Sequence, residues 1–121
     1  MAEPYVIFIY RLMSSLETLF PDLDGFEWDA GNSDKNWLRR EARQAEAEQA
    51  LLNTPLVVSV TAKHSGPEPR HVALGRTEAG RFLTVVFTVR GTRVRVISAR
   101  AMSRAERVVY GQIETDAQDR S

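Results

Sequence analysis

Between residues 71 and 112 the chain carries eight arginines, no lysine and two acids, Glu78 and Glu106. A guanidinium is planar, always charged and presents paired N–H donors, so such a cluster suits bidentate contact with phosphate or carboxylate. The +6 of this segment is offset elsewhere: residues 1–25 sum to −3, residues 26–70 to −1 and the tail from 113 to −2. Segregation of this kind points to a nucleic acid, to an acidic protein partner, or to a solvated strand face. Arg93 and Arg95 stand two apart, so on a strand their side chains leave the same face. Arg76 closes an earlier strand, and Arg100 sits where the last strand meets a helix.

Other chemistries fit less well. With no cysteine there is no disulfide, no thiolate nucleophile and no cysteine metal site. His64 and His71 are seven apart without an acidic ligand set, which makes a poor metal site, so each reads as a polar surface residue and no metal or cofactor is expected. Neither a GxGxxG nor a GxxxxGK phosphate loop is present. Ser98 has no partner pattern for nucleophilic catalysis. For proton transfer the candidates are Lys35, Glu27, which points opposite to Phe26 and Trp28, and Tyr110. That tyrosine either stacks on a base or donates a proton, or is an aromatic at the core edge. Trp28 and Trp37 read as core.

The elements that must position these groups follow from periodicity. At 121 residues, 43% hydrophobic and 26% charged, the chain has room for one globular core. Residues 5–10 (YVIFIY) are far shorter than the roughly 20 apolar residues of a membrane span and lack the features of a signal peptide. They read as an added strand, or as translated upstream sequence with Met13 as the start. Ser14 and Glu17 form a capping-box pattern for a short helix at 14–20, ended by Pro21. A short strand at 26–29 (FEWD) precedes an unbroken helix-favouring run from Asp34 to Leu52, closed by Asn53, Thr54 and Pro55. Strands follow at 56–61, 71–76, 81–90 and 93–99, with a loop at 64–69 and turns at 78–80 and Gly91. A final helix starts at Ser103, boxed by Glu106, and runs to about Tyr110. Beyond it the polar tail frays. The fold class expected is α+β: a small antiparallel meander of four to five strands flanked by helices.

Three segments in this order resemble the BrnT family: 26–37 (FEWDAGNSDKNW), 71–88 (HVALGRTEAGRFLTVVFT) and 93–110 (RVRVISARAMSRAERVVY). The resemblance implies an N-terminal extension at 1–25, a toxin domain at 26–112 and a polar tail at 113–121. It implies a RelE-like fold and a metal-independent endoribonuclease toxin of a type II toxin–antitoxin pair, which stops translation by cutting RNA in the bacterial cytoplasm. The partners implied are RNA, a ribbon-helix-helix antitoxin similar to BrnA and, through that complex alone, operator DNA. No membrane is involved.

Such cleavage needs a base for the 2′-hydroxyl proton, cations for the developing phosphorane charge and an acid for the leaving oxygen. Arg76 matches the family's LGR arginine and Arg100 its SAR arginine. The catalytic set expected is therefore Lys35, Arg76, Arg93 and Arg100, with Arg39, Arg40, Arg95 and Tyr110 as RNA contacts. Two departures stand out. Where the family usually has Lys-His-Gly, this chain has Arg39-Arg40-Glu41, and Asn32 replaces a frequent lysine. An arginine holds a phosphate but rarely gives up a proton, and loss of the glycine removes a helix break, so two family helices are expected to fuse. The alternative is a catalytically degenerate homologue that acts only by binding its partner in an operator-binding repressor complex.

Overall fold

The computed structural model describes residues 16, 20–29, 42–58, 63–64 and 69–119. In chain order the elements are β1 (Gly25–Phe26), α1 (Gln44–Leu52), β2 (Val57–Val58), β3 (Lys63–His64), β4 (Pro69–Arg76), β5 (Phe82–Arg90), β6 (Arg93–Ala101) and α2 (Arg104–Asp119). Five strands make one sheet in the order β1-β6-β5-β4-β2, and β3 pairs with the start of β4. The three long strands form the expected antiparallel meander. β1, however, runs parallel to β6, so the sheet is mixed and not wholly antiparallel. Every other strand lies between these two in sequence, so no tight turn dictates their relative direction.

β5 shows why the sheet is covered on both sides. Leu83, Val85 and Phe87 alternate onto one face and are fully buried with Ala73, Val94, Val96 and Ala99 beneath α1. On the other face Leu74, Phe82, Met102 and Val57 pack under Tyr110 and Ile113 of α2. Each large apolar side chain so buried is worth roughly 2 kcal/mol. α1 presents the small residues Ala47 and Ala50 beside Leu51, which brings its backbone onto β4. There Gly75 is required: a Cβ would collide with the Ala50 carbonyl oxygen.

The single helix expected from Asp34 to Leu52 is not formed. Arg43 is extended at the N-cap (φ −93°, ψ 164°), and α1 starts only at Gln44. Its N–H donates to Glu46 Oε1 at 3.0 Å, while Arg81 grips both oxygens of that carboxylate at 2.9 Å. Tertiary contact thus sets a boundary that helix propensity does not show. Conversely, α2 runs to Asp119, past the end expected near Tyr110, because Ile113 is buried one turn on from Tyr110. The first strand is shorter than expected, and the segment expected as a loop at 64–69 contributes His64 to β3 and Pro69 to β4. Of the helix expected at 14–20, Leu16 is helical and buried, and its carbonyl accepts the Phe20 N–H at 2.9 Å. The YVIFIY segment lies outside the described residues.

Substituting Gly75→Ala should lower stability by about 1–3 kcal/mol, because the new methyl group must push α1 off the sheet. Thermal denaturation should show a melting point several degrees lower, and an unchanged melting point would refute the close approach.

Candidate functional site

The sheet face turned away from α1 collects the arginines. Across β5 and β6 the register pairs Arg90 with Arg93, Thr88 with Arg95, Val86 with Ser98 and Thr84 with Arg100. Arg93 and Arg95 share this face by simple alternation. Arg100 is an odd five residues beyond Arg95 and would point into the core if alternation continued. It does not, because the ladder slips between Val86 and Phe87: Phe87 faces Val96, Val86 faces Ser98, and Ile97 is the extra residue. The bulge re-phases the strand, turning Ala99 inward and Arg100 outward.

β1 supplies the counter-charge. Its parallel pairing sets Gly25 beside Arg93 and Phe26 beside Val94, with the Glu27 N–H donating to the Val94 carbonyl at 2.8 Å. Three acids from this segment therefore line the arginines. Asp24 lies 3.6 Å from Arg93, and Asp29 accepts from Arg95 at 2.6 Å. Glu27 stands 3.7 Å from Arg90 and 3.8 Å from Arg95. Arg95 is the inner member, its side chain 14% exposed against 58% for Arg93 and 52% for Arg100. Arg93 and Arg100 are thus half open to solvent, whereas Arg95 is enclosed among its carboxylates.

At the strand–helix junction Glu106 joins three elements. Its carboxylate accepts two hydrogen bonds from Arg100 (2.8 and 3.0 Å), one from the Thr84 hydroxyl (2.8 Å) and one from the Ser103 N–H (2.8 Å). The Ser103 hydroxyl accepts the Glu106 N–H at 3.1 Å, which completes the expected capping box. Burial alone would raise this carboxyl's pKa. The Arg100, Ser103 and Thr84 bonds and the Arg100 charge outweigh it and bring it down to about 2.

The residues singled out by sequence divide as follows. Arg93, Arg95 and Arg100 are brought together. Arg76 lies on the same side of the sheet but beside α2, paired with Glu114 at 3.0 Å. Tyr110 must be corrected as an RNA contact: its ring is fully buried, and its hydroxyl donates to the Pro55 carbonyl at 2.6 Å. Burial, then the Glu114 charge, push its pKa up against a smaller opposing effect of Arg76, so it is a poor acid. Trp28 packs against the core under α1, its indole N–H donating to Glu48 at 2.7 Å. His71 is not a surface group. It is half-buried on the core face, 5.3 Å from the rings of Phe20 and Phe87, and burial lowers its pKa. Lys35, Arg39, Arg40 and Trp37 lie outside the described residues. Arg90 and the acid at position 24 were not anticipated, although pairing 90 with 93 across the Gly91 turn gives the first of them.

A family model described as the ribonuclease toxin BrnT of type II toxin–antitoxin systems matches residues 28–106. The chain belongs to this family. No curated protein and no solved structure matches the chain. The matched stretch holds all of β4, β5 and β6 and ends at Glu106, so this BrnT chain keeps its arginine face and the Glu106 junction inside the family region. Asp24 and Glu27 lie just ahead of that region.

Glu106 has a folded-state pKa below its ordinary 4.5, so the stability it contributes is present above that value and lost as pH falls from about 4.5 toward about 2. The Glu106→Gln variant should be less stable than the parent at pH 7. In acid titrations followed by circular dichroism it should lose less stability across that window. Equal slopes for the two proteins would remove Glu106 from this role.

Proposed function

We propose that this chain is a metal-independent endoribonuclease toxin whose active surface is the arginine face, with Glu27 as general base. The observation that carries the reading is the Glu27 carboxylate held within 4 Å of both Arg90 and Arg95, on the face that Arg93 and Arg100 share. In this mechanism Arg93 and Arg100 release their carboxylate partners and take the scissile phosphate. The exposed Arg93–Asp24 pair is worth only about 0–1 kcal/mol, whereas Arg100 gives up a two-bond pair with the half-buried Glu106 at a higher cost. Glu27 accepts the ribose 2′-hydroxyl proton. The 2′-oxygen attacks phosphorus, the guanidinium groups hold the phosphorane charge, and the bond to the 5′-oxygen breaks. The products are a 2′,3′-cyclic phosphate and a free 5′-hydroxyl end.

Lys35 is the acid that protonates the leaving oxygen, with Arg39, Arg40 and Arg76 as further phosphate contacts along the strand. The same reading includes a RelE-like fold, which the β4-β5-β6 meander supports. It also includes translation arrest in the cytoplasm, a ribbon-helix-helix antitoxin and operator DNA bound through that complex. Its metal independence rests on the guanidinium groups, which supply the positive charge a cation would otherwise bring.

One observation favours a second reading, in which the chain only binds its partner. Arg39-Arg40 stand where the family has Lys-His, and Arg90, Arg93, Arg95 and Arg100 are each held by carboxylates. Cleavage of end-labelled RNA in EDTA separates the two. The parent should cut and leave cyclic phosphate ends, Glu27→Gln should be slower by about 10²–10⁴-fold, and the Arg93→Ala/Arg100→Ala double variant should not cut. RNA left intact by a parent that still binds its antitoxin would establish the second reading.

A further inference from the structure

Of the eight arginines between residues 71 and 112, six are paired with carboxylates: Arg76, Arg81, Arg90, Arg93, Arg95 and Arg100. Among the described residues Arg104 and Arg107 have no such partner. Both flank the same feature, an open depression of about 410 Å³ between α2 and the ends of β5 and β6. Its floor is apolar, made by Phe82, Met102, Val108 and Gly111, and it continues past Phe82 toward Arg81. Arg107 lies over the Phe82 ring at 5.5 Å, which orients its charge at the edge of the apolar floor. Val108 is 68% exposed, one of two large apolar residues so exposed among those described.

Gly111 adds an independent observation. It sits inside α2, where glycine costs about 1 kcal/mol relative to alanine, and a Cβ there would meet nothing within 4 Å. Neither fold nor turn geometry requires a glycine at this position. Its effect is to leave the helix backbone bare at the floor of the depression.

We propose that this groove on α2 is the docking surface for the antitoxin, and that it takes an amphipathic segment whose apolar side chains fill the floor over Phe82 and Gly111 and whose acidic side chains pair with Arg104 and Arg107. The inference rests on membership of a toxin–antitoxin family, which requires a protein partner. Charge complementarity selects the chemistry: unpaired cations call for carboxylates, and an apolar floor calls for aliphatic side chains at helical spacing. An RNA strand is the poorer fit, since the one aromatic ring is already covered by Arg107 and Val108 offers nothing to a phosphate. The groove's lining does not include Glu27, Arg93 or Arg100, so its residues can be changed while those three are kept.

The test measures binding of the full chain to the antitoxin encoded in its own operon by biolayer interferometry, with RNA cleavage and melting point read on the same variants. Val108→Glu should weaken antitoxin binding about tenfold, and Arg104→Glu/Arg107→Glu by about a hundredfold, with cleavage by the free toxin unchanged. Gly111→Gln guards against misfolding as the cause: it should keep or raise the melting point by helix propensity while weakening binding about tenfold. Unchanged antitoxin affinity in all three variants overturns the groove and leaves the toxin–antitoxin reading intact. Loss of RNA binding with antitoxin binding retained overturns it in favour of an RNA surface. A parent that binds no antitoxin overturns both.

Discussion

A strand that alternates strictly cannot keep Arg93, Arg95 and Arg100 on one face while burying Val94, Val96 and Ala99 on the other, because the spacing changes parity between 96 and 99. The extra residue at Ile97 is the solution, and the rest of the site depends on it. Without the slip Arg100 would face the apolar layer under α1, where an unpaired guanidinium costs several kcal/mol. With it, Ala99 is buried and Arg100 emerges beside Thr84. The same step aims Arg100 at Glu106, and so fixes where α2 begins. Bulges that re-aim a side chain commonly sit beside functional surfaces, and here the charge pattern of the strand enforces one.

The second constraint is electrostatic. Four bases facing outward on β5 and β6, Arg90, Arg93, Arg95 and Arg100, would repel one another, and the 24–29 segment laid alongside β6 offsets this. That segment is parallel and short, yet it delivers Asp24, Glu27 and Asp29 to Arg90, Arg93 and Arg95. The neutral total of the chain is thus a local arrangement and not an average over distant patches. Pairing also grades the arginines by availability. Arg95 is mostly covered and held between Glu27 and Asp29. Arg93 and Arg100 are half exposed, Arg93 in one long pair with an exposed acid and Arg100 in the two-bond pair with Glu106.

Much of this was legible in the sequence where the physics is local. The alternation of Leu83, Val85 and Phe87, the Gly91 turn and the Ser103–Glu106 box each depend on residues close in the chain, and each is found in the structure. The order of the three resembling segments sufficed to place the chain in its family. What could not be read depends on contacts between distant residues. The α1 start at Gln44 is set by Arg81, 35 positions away from Glu46. Tyr110 could be read as an RNA contact as well as a core-edge aromatic, because the hydrogen-bond partner that decides between them, Pro55, is 55 residues upstream. The parallel direction of β1 and the slip at Ile97 leave no local signature, so Arg100 could be assigned to the junction but not to the face it shares with Arg93.

α2 has two different sides because its charges follow its packing. Tyr110 and Ile113 hold it to the sheet, and Glu106 is drawn inward by Arg100, Thr84 and the turn at Ser103. That leaves Arg104 and Arg107, two positions before and one after Glu106, with no carboxylate among the described residues. The helix is therefore anchored through its acid and open through its bases. The turn of helix that carries those bases also carries Glu106, the carboxylate bonded twice to Arg100. Paired arginines on the sheet and unpaired arginines on the helix are in this way two halves of one charge arrangement, joined by a single carboxylate.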